Sequence, residues 1–346
     1  MKKFISLVMT VVLLIGLLPA TAGAAPKELK VHFIDVGQGD AILVQAPGGK
    51  NMLVDGGPKS AGDKVVKFLK AKGVKRLDYV VATHPDADHI GGLEAVLNAF
   101  PVTNFVDSGY PHTTQTYYNM LSLIDKKNIK FTVAKELDKL ALDPQMVVRV
   151  LYADENAKDS NDASIVLKLT YNKVSFLLMA DANTAIEDKI RAKYDVTATV
   201  LKNGHHGSNT SSSAAFISSV KPSVGILSYG KNNSYGHPHA AIEARLKNVG
   251  ATTYKTAVHC DITVTTNGVK HSVSTGCGSK ATAPAKPAPK PATKPAPKPA
   301  AKPAPTQTNF KNCTELRKVY PKGVSSGHPA YQSKMDRDKD GWACER

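Results

Sequence analysis

Residues 83–92 read Thr-His-Pro-Asp-Ala-Asp-His-Ile-Gly-Gly, directly after the apolar run Tyr79-Val80-Val81-Ala82. His84, Asp86, Asp88 and His89 thus put two imidazoles and two carboxylates at the mouth of a turn. Packing explains such a strand end poorly, whereas a dense set of nitrogen and oxygen donors suits one or two divalent cations. Asn203-Gly204-His205-His206-Gly207-Ser208 and Tyr235-Gly236-His237-Pro238-His239 add two His pairs, so that six of the eleven histidines fall in three clusters. Asp181 closes the apolar run Phe176–Ala180, and Asp35 and Asp55 end comparable runs. A carboxylate at the tip of a buried strand is costly unless it is solvated, paired or bound to metal.

The elements that must hold these groups alternate along 25–277. Leu29–Val36 and Asp40–Gln45 read as strands joined by the Gly37-Gln38-Gly39 turn, followed by a strand at Asn51–Val54. Lys64–Lys72 has helical periodicity, Arg76–Ala82 is a strand and Gly92–Phe100 a helix. Strands follow at Met146–Tyr152, Ala163–Tyr171, Val174–Ala180, Ala198–Leu201 and Val224–Ser228, and helices at Asn183–Lys193, Ser212–Val220 and Ala240–Asn248. Thr266-Asn267-Gly268 marks a last hairpin between Asp261–Thr265 and Val269–Val273. Paired strands first, then strands interleaved with helices, predict an α/β fold whose sheet-on-sheet core is covered by helices.

The rest of the 346-residue chain is punctuated by composition. Lys2 and Lys3, the apolar stretch Phe4–Leu18 and Ala22-Gly23-Ala24 have the order of a secretory signal over 1–24, so the mature chain is expected outside the membrane without an integral anchor. Residues 278–308 repeat Lys, Pro and Ala and cannot build a core, which makes them a disordered, extended linker. Cys260, Cys277, Cys313 and Cys344 lie in the last third. In an exported chain they imply two disulfides, and the intervening linker favours Cys260–Cys277 and Cys313–Cys344 over the other two pairings. Of the formal net charge of +16, the leader and the linker carry eight charges and the terminal segment 309–346 three, so the segment 25–277 is only mildly basic. That balance agrees with a polyanionic substrate or an anionic wall, and selects neither. In the tail, Asp336, Asp338 and Asp340 alternate before Gly341, the opening of an EF-hand-type calcium loop, with Glu345 the one acidic group beyond it.

Asp55, the His84–His89 cluster, Asp181 and His205 together resemble the metallo-β-lactamase-fold hydrolases. His-Pro-Asp-x-Asp-His-x-Gly-Gly, His205-His206-Gly207-Ser208 and Gly236-His237-Pro238-His239 resemble more closely the corresponding domain of ComEC competence proteins, over nearly all of 28–275. The resemblance implies an αββα sandwich with a metal site at one edge. It implies a first metal on His84 and Asp86, a second on Asp88, His89 and His205, and Asp181 bridging the two. Most members have His where Asp86 stands, and a carboxylate there moves preference from Zn²⁺ towards Mn²⁺ or Mg²⁺. The family's His before the bridging Asp is absent, with Asn161 and Asp162 the nearest candidates. Asp55 is expected to brace the metal loop, Asp88 also to orient the nucleophile, and His206, His237, His239 and Lys202 to bind phosphate or protonate a leaving oxygen. Residues 309–346, with Cys313, Cys344 and Tyr331, resemble the excalibur calcium-binding domain. The expected function is an exported phosphodiesterase or nuclease on DNA or RNA using Mn²⁺ or Zn²⁺. The alternatives are a cell-wall phosphoesterase acting on teichoic acid or phosphorylcholine, and a non-catalytic wall- or DNA-binding protein that has kept the fold.

Overall fold

A computed structural model describes residues 27–277, 308–321, 323–337 and 342–344. The expected leader, nearly all of the linker, and Asp338, Asp340 and Glu345 lie outside them. Six strands open the chain: β1 (Leu29–Phe33), β2 (Ile42–Gln45), β3 (Asn51–Val54), β4 (Leu77–Ala82), β5 (Val102–Asp107) and β6 (Lys130–Val133). The next seven are β7 (Lys139–Leu140), β8 (Val147–Tyr152), β9 (Val166–Tyr171), β10 (Val174–Leu178), β11 (Val200–Lys202), β12 (Val224–Leu227) and β13 (Thr252–Lys255). A hairpin of β14 (Ile262–Thr266) and β15 (His271–Thr275) then returns to the first sheet. The sheet orders are β15-β14-β1-β2-β3-β4-β5-β6 and β13-β12-β11-β10-β9-β8-β7.

Alternation along the strands divides the apolar residues between two faces. Leu29, Val31 and Phe33 of β1, Met52 and Val54 of β3, and Val174, Phe176 and Leu178 of β10 meet in one core between the sheets. Leu43, Leu53 and Val80 point the other way, onto α1 (Gly62–Ala71), α2 (Ala87–Ile90), α3 (Leu93–Ala99) and α4 (Gln115–Lys126). Leu177 and Leu201 do the same against α5 (Thr184–Lys193), α6 (Ala214–Val220) and α7 (Ala240–Asn248). The layers are therefore αββα, as expected. The strands and α-helices of 27–277 missing from the sequence reading are α2, β5, α4, β6, β7, β13 and the single turn α8 (Thr256–His259). The first hairpin is wider than read: β1 and β2 pair antiparallel, but residues 34–41 form a long loop whose Asp40 N–H donates to the Asp88 carbonyl at 3.2 Å. Gly39 makes that approach feasible, since a Cβ there would strike the same carbonyl.

Two runs of parallel strands decide where chemistry can gather. β3, β4, β5 and β6 are mutually parallel in one sheet, and β10, β11, β12 and β13 in the other. Loops leaving the carboxyl ends of parallel strands emerge on one edge, where ligands of open α/β sheets sit. Asp55 follows β3, His84 follows β4, Asp181 follows β10 and His205 follows β11. Asp40 precedes β2, which runs antiparallel to β3 and so starts at the same edge.

Cys260 and Cys277 are bonded at the open end of the last hairpin. The C-terminal unit is separate and small. It holds α9 (Cys313–Val319), capped by the Asn312 side chain, and a two-stranded ribbon of β16 (Val324–Ser325) and β17 (Trp342–Ala343). Phe310, Leu316, Val324, Ala330 and Met335 make its core, and the Cys313–Cys344 bond fastens it. Asp336, the described member of the acidic loop, is buried and accepts the Tyr331 hydroxyl at 2.6 Å.

Asp107, at the end of β5, provides a pH handle on the first unit. Burial pushes its carboxyl up to about 6, against the Gly109 N–H and Tyr117 hydroxyl bonds that oppose the shift. A raised folded-state value means that the native state binds the extra proton between about pH 4 and pH 6. Stability should therefore be full below pH 4, fall as pH rises through 6, and stay reduced above it. Denaturant titration of Asp107→Asn should show a gain of about 1–3 kcal/mol at pH 8 and none at pH 4. Equal effects at both values would contradict this.

Candidate metal centre

Asp55 is the first support of the centre. Its Oδ1 accepts the Thr83 N–H at 2.8 Å, and its Oδ2 accepts both the Thr83 hydroxyl and the His89 Nδ1–H at 2.8 Å. With its proton given to Asp55, the Thr83 oxygen receives the Nδ1–H of His84 at 3.1 Å. The third ring, His206, gives its Nδ1–H to the Ser228 carbonyl at 3.0 Å. Each bond fixes a tautomer, because an imidazole donating through Nδ1 keeps its lone pair on Nε2. All three Nε2 atoms then face Asp181, at 3.9 Å for His84, 3.4 Å for His89 and 3.3 Å for His206. His205 Nε2 comes within 3.7 Å of the same carboxylate, and Asp88 Oδ2 within 3.2 Å of His206 Nε2.

The backbone is bent to bring these groups together. Asp55, Ala180, His205 and His206 all take left-handed φ values, of 59°, 46°, 44° and 54°. Such conformations are uncommon without glycine and cluster where a site over-determines the chain. The His205 N–H donates to the Ala180 carbonyl at 2.9 Å, so two of the bent segments hold each other. The Asp181 N–H donates to the Ser164 hydroxyl at 3.1 Å.

The donor set fits a divalent cation. His84 Nε2 and Asp181 Oδ1 are buried and have no hydrogen-bond partner among the described residues. Left so, each would carry the full desolvation cost of an unmade bond. One donor atom each from Asp40, His89, Asp181 and His206 also lie within 4.8 Å of one another. Burial disfavours charge on His89 and His206, yet Asp181, with Asp55 at the first ring, outweighs it and raises both well above the usual imidazole range. Burial is likewise overcome at Asp181, which His206 and His89 hold well below the usual carboxylate range. The pocket thus draws positive charge, as protons or as a cation.

Several expected positions look different in three dimensions. Lys202 is fully buried, with Nζ 2.6 Å from Asp40 Oδ2 and 3.0 Å from the Asn203 carbonyl, so it does not reach a substrate phosphate. His206, also expected at the phosphate, is 1% exposed and lies among the donor atoms. Asp162 accepts the Asn183 amide, turned to the start of α5, while the buried Asn161 Oδ1 has no partner among the described residues. Asp86 sits at the rim, 3.6 Å from His84 Nε2. Burial would raise its carboxyl, but His84 and then Ser160 bring it down to about 2. His237 and His239 stand beside the cluster, His237 with its ring centroid 5.7 Å from that of His205. Burial and the neighbouring His206 push His237 down to about 4, so it is neutral at pH 7.

Asp40 is the residue that the sequence reading missed. It meets His206 at Nδ1, 3.6 Å away, on the ring edge turned from Asp181, and Lys202 neutralises its other oxygen. Burial opposes its charge, but Lys202 and His206 keep it well ionised. It therefore braces His206 from behind. Its one sequence signal was a carboxylate directly after Gly37-Gln38-Gly39, read as the start of a strand.

The model of the Metallo-beta-lactamase superfamily matches residues 34–231, and that of the Excalibur calcium-binding domain residues 310–345. ComE operon protein 3 of Bacillus subtilis is 34% identical over 236 residues, which cover 62% of this chain and 30% of that protein. Competence protein ComA of Neisseria gonorrhoeae is 31% identical over 245 residues, 68% of this chain and 32% of the relative. The chain thus spans about a third of the length of these two relatives. The SPbeta prophage-derived endonuclease YokF of Bacillus subtilis shares 81% identity over 37 residues, 11% of this chain and 12% of its own.

Two outcomes follow from this geometry. Replacing Asp181 by Asn should abolish stoichiometric Mn²⁺ or Zn²⁺ uptake. In the unaltered protein uptake should release protons from His89 and His206 and weaken as pH falls, measurable by calorimetry in buffers of different ionisation enthalpy. Lys202→Met should cost about 3–5 kcal/mol in chemical denaturation, because it strands a buried Asp40 charge, and Asp40→Asn in the same chain should recover much of that. A Lys202→Met protein as stable as the parent would refute the pairing.

Proposed function

Since the chain belongs to the metallo-beta-lactamase superfamily, in the branch of the competence-protein relatives, and ends in an Excalibur domain, we propose that this metallo-hydrolase is an exported phosphodiesterase acting on nucleic acid. The observation that carries the reading is the convergence of His84 Nε2 and Asp181 Oδ1, neither hydrogen-bonded among the described residues, with His89 and His206, beside the neutral His237. His84, His89, Asp181 and His206 would hold the cation, with His205, Asp88 and Asp86 at its open side. A divalent ion there supplies Lewis-acid polarisation of a phosphoryl oxygen and a nucleophile from water at neutral pH.

The remaining work falls to the protein's own groups. Asp88, a third exposed and with Oδ2 3.2 Å from His206 Nε2, faces the opening and can accept a proton from an attacking water. His205, whose basicity burial lowers, and His237 are uncharged hydrogen-bonding groups when no substrate is present. An anionic phosphoryl group next to them would raise their proton affinity, which turns His237 into an acid for the leaving oxygen only once substrate is in place. Asp55 and Asp40 hold the rings, and Lys202 acts through Asp40.

Nucleic acid is favoured over a wall polymer by the terminal module, which this chain shares with a protein named as an endonuclease. The competence-protein relatives point the same way. The charged, apolar, small-residue order of 1–24 supports export, and no helix among the described residues is long and apolar enough to cross a membrane. Asp336, together with Asp338, Asp340 and Glu345, would place calcium in the terminal module, at concentrations typical outside cells.

Purified protein should hydrolyse a simple phosphodiester and plasmid DNA with Mn²⁺ or Zn²⁺, and lose both activities to chelator. His84→Ala and Asp181→Ala should each fall by about a thousandfold or more in kcat/KM. Release of phosphocholine without DNA cleavage would transfer the proposal to the wall polymer, and unchanged rates in both variants would end it.

A further inference from the structure

One aromatic side chain beside the centre is exposed but not loose. Tyr235 keeps 64% of its surface in solvent, while its ring stacks on His237 at 5.5 Å between centroids and 22° between planes. His237 in turn lies 5.7 Å from His205 and 6.3 Å from His206, so the rings form a file from the donor cluster out to solvent. The loop that carries them is braced by one side chain. Asn233 Oδ1 accepts the N–H of Tyr235 at 3.1 Å and of His237 at 2.9 Å, and its Nδ2 donates to the carbonyls of Gly230 and His237 at 2.8 and 2.7 Å. Four bonds from one amide hold the backbone of this loop, and the stack on His237 seats the ring, which lowers the ordering cost of binding to it. His237 Nδ1 and His239 Nδ1, both buried and without a partner among the described residues, lie along the same file.

We infer that Tyr235 is a stacking platform for an unpaired nucleobase, seated where the nucleotide next to the reacting phosphodiester would lie. This rests on the phosphodiesterase reading and names its substrate class: single-stranded nucleic acid, or a frayed end. Any base offers a π-face to an open aromatic ring, so the platform tolerates sequence. A base inside a duplex has both faces covered by its neighbours and cannot use it. A quaternary ammonium such as choline is a different ligand, normally enclosed by several aromatic faces, whereas Tyr235 stacks on one neighbouring ring, His237.

The test is a cycle between the ring and the base. Binding of a labelled single-stranded oligodeoxynucleotide and of its fully abasic counterpart is followed by fluorescence anisotropy in chelator, on the full chain and on Tyr235→Ala and Tyr235→Phe. Removing the ring or removing the bases should each weaken binding about tenfold, and removing both should cost little more than either. Tyr235→Phe should keep most of the affinity. With metal, Tyr235→Ala should raise KM for the oligonucleotide by a similar factor and change kcat less. Losses that simply add, equal binding by Tyr235→Ala, or displacement of the oligonucleotide by phosphocholine would each overturn the assignment. Because the anisotropy cycle needs no turnover, it can fail while phosphodiester hydrolysis stands, and hydrolysis can fail while it succeeds.

Discussion

Asp55 sets the tautomers on which the rest of the centre depends. Its two oxygens take the Thr83 N–H, the Thr83 hydroxyl and the His89 Nδ1–H, and the hydroxyl relays the constraint to His84. Two rings on one loop thereby turn Nε2 in one direction, where it can give up a proton to take a cation. Were either ring to flip, the convergence on Asp181 would be lost. Carboxylates behind metal-binding histidines commonly do this work, raising ligand basicity as well as fixing orientation. Asp40 repeats the arrangement less directly behind His206, with Lys202 beneath it so that the carboxylate is not left as an uncompensated charge.

Such a constellation needs a stiff frame, because its own backbone is unfavourable. Left-handed φ at Asp55, Ala180, His205 and His206 costs on the order of 1 kcal/mol or more each. The opposing contribution comes from strands buried on both faces, which end abruptly at the same edge. Gly39 and Gly92 belong to the same economy of space. A Cβ on the first would meet the Asp88 carbonyl, and on the second the Gly56 carbonyl, so the loops beneath the metal-binding turn could not close.

Much of this was legible in the order of residues. The apolar runs of β3 and β10 and the helical spacing of α1 gave the elements, while the side of the sheet that each strand residue faces came only with the fold. His84, His89 and Asp181 were readable because the side chains are chemically conspicuous and end apolar runs. The strands β5 and β6 were not, since Thr103, Asn104, Lys130 and Thr132 dilute their apolar pattern, and α4 was passed over although Tyr117, Met120 and Ile124 keep a helical spacing. The exchange of roles between Lys202 and Asp40 was equally hidden. A lysine beside two histidines looks like a phosphate ligand until the fold shows that it points inward. Whether a charge faces substrate or core depends on pairings more than 150 residues apart, as between Asp40 and Lys202.

The return of the last hairpin to the first sheet has a kinetic meaning. β1 is flanked by β2 on one side and by β14 on the other, so Leu29 pairs with Thr266. For a chain that emerges in order from a ribosome or a translocation pore, β1 keeps one hydrogen-bonding edge open until nearly the whole domain has appeared. Contacts of such sequence separation slow folding, because loop closure must precede their reward. The first sheet is thus completed last, and the Cys260–Cys277 bond closes only behind it. A topology of this kind delays closure of the first sheet until its most distant strand has appeared.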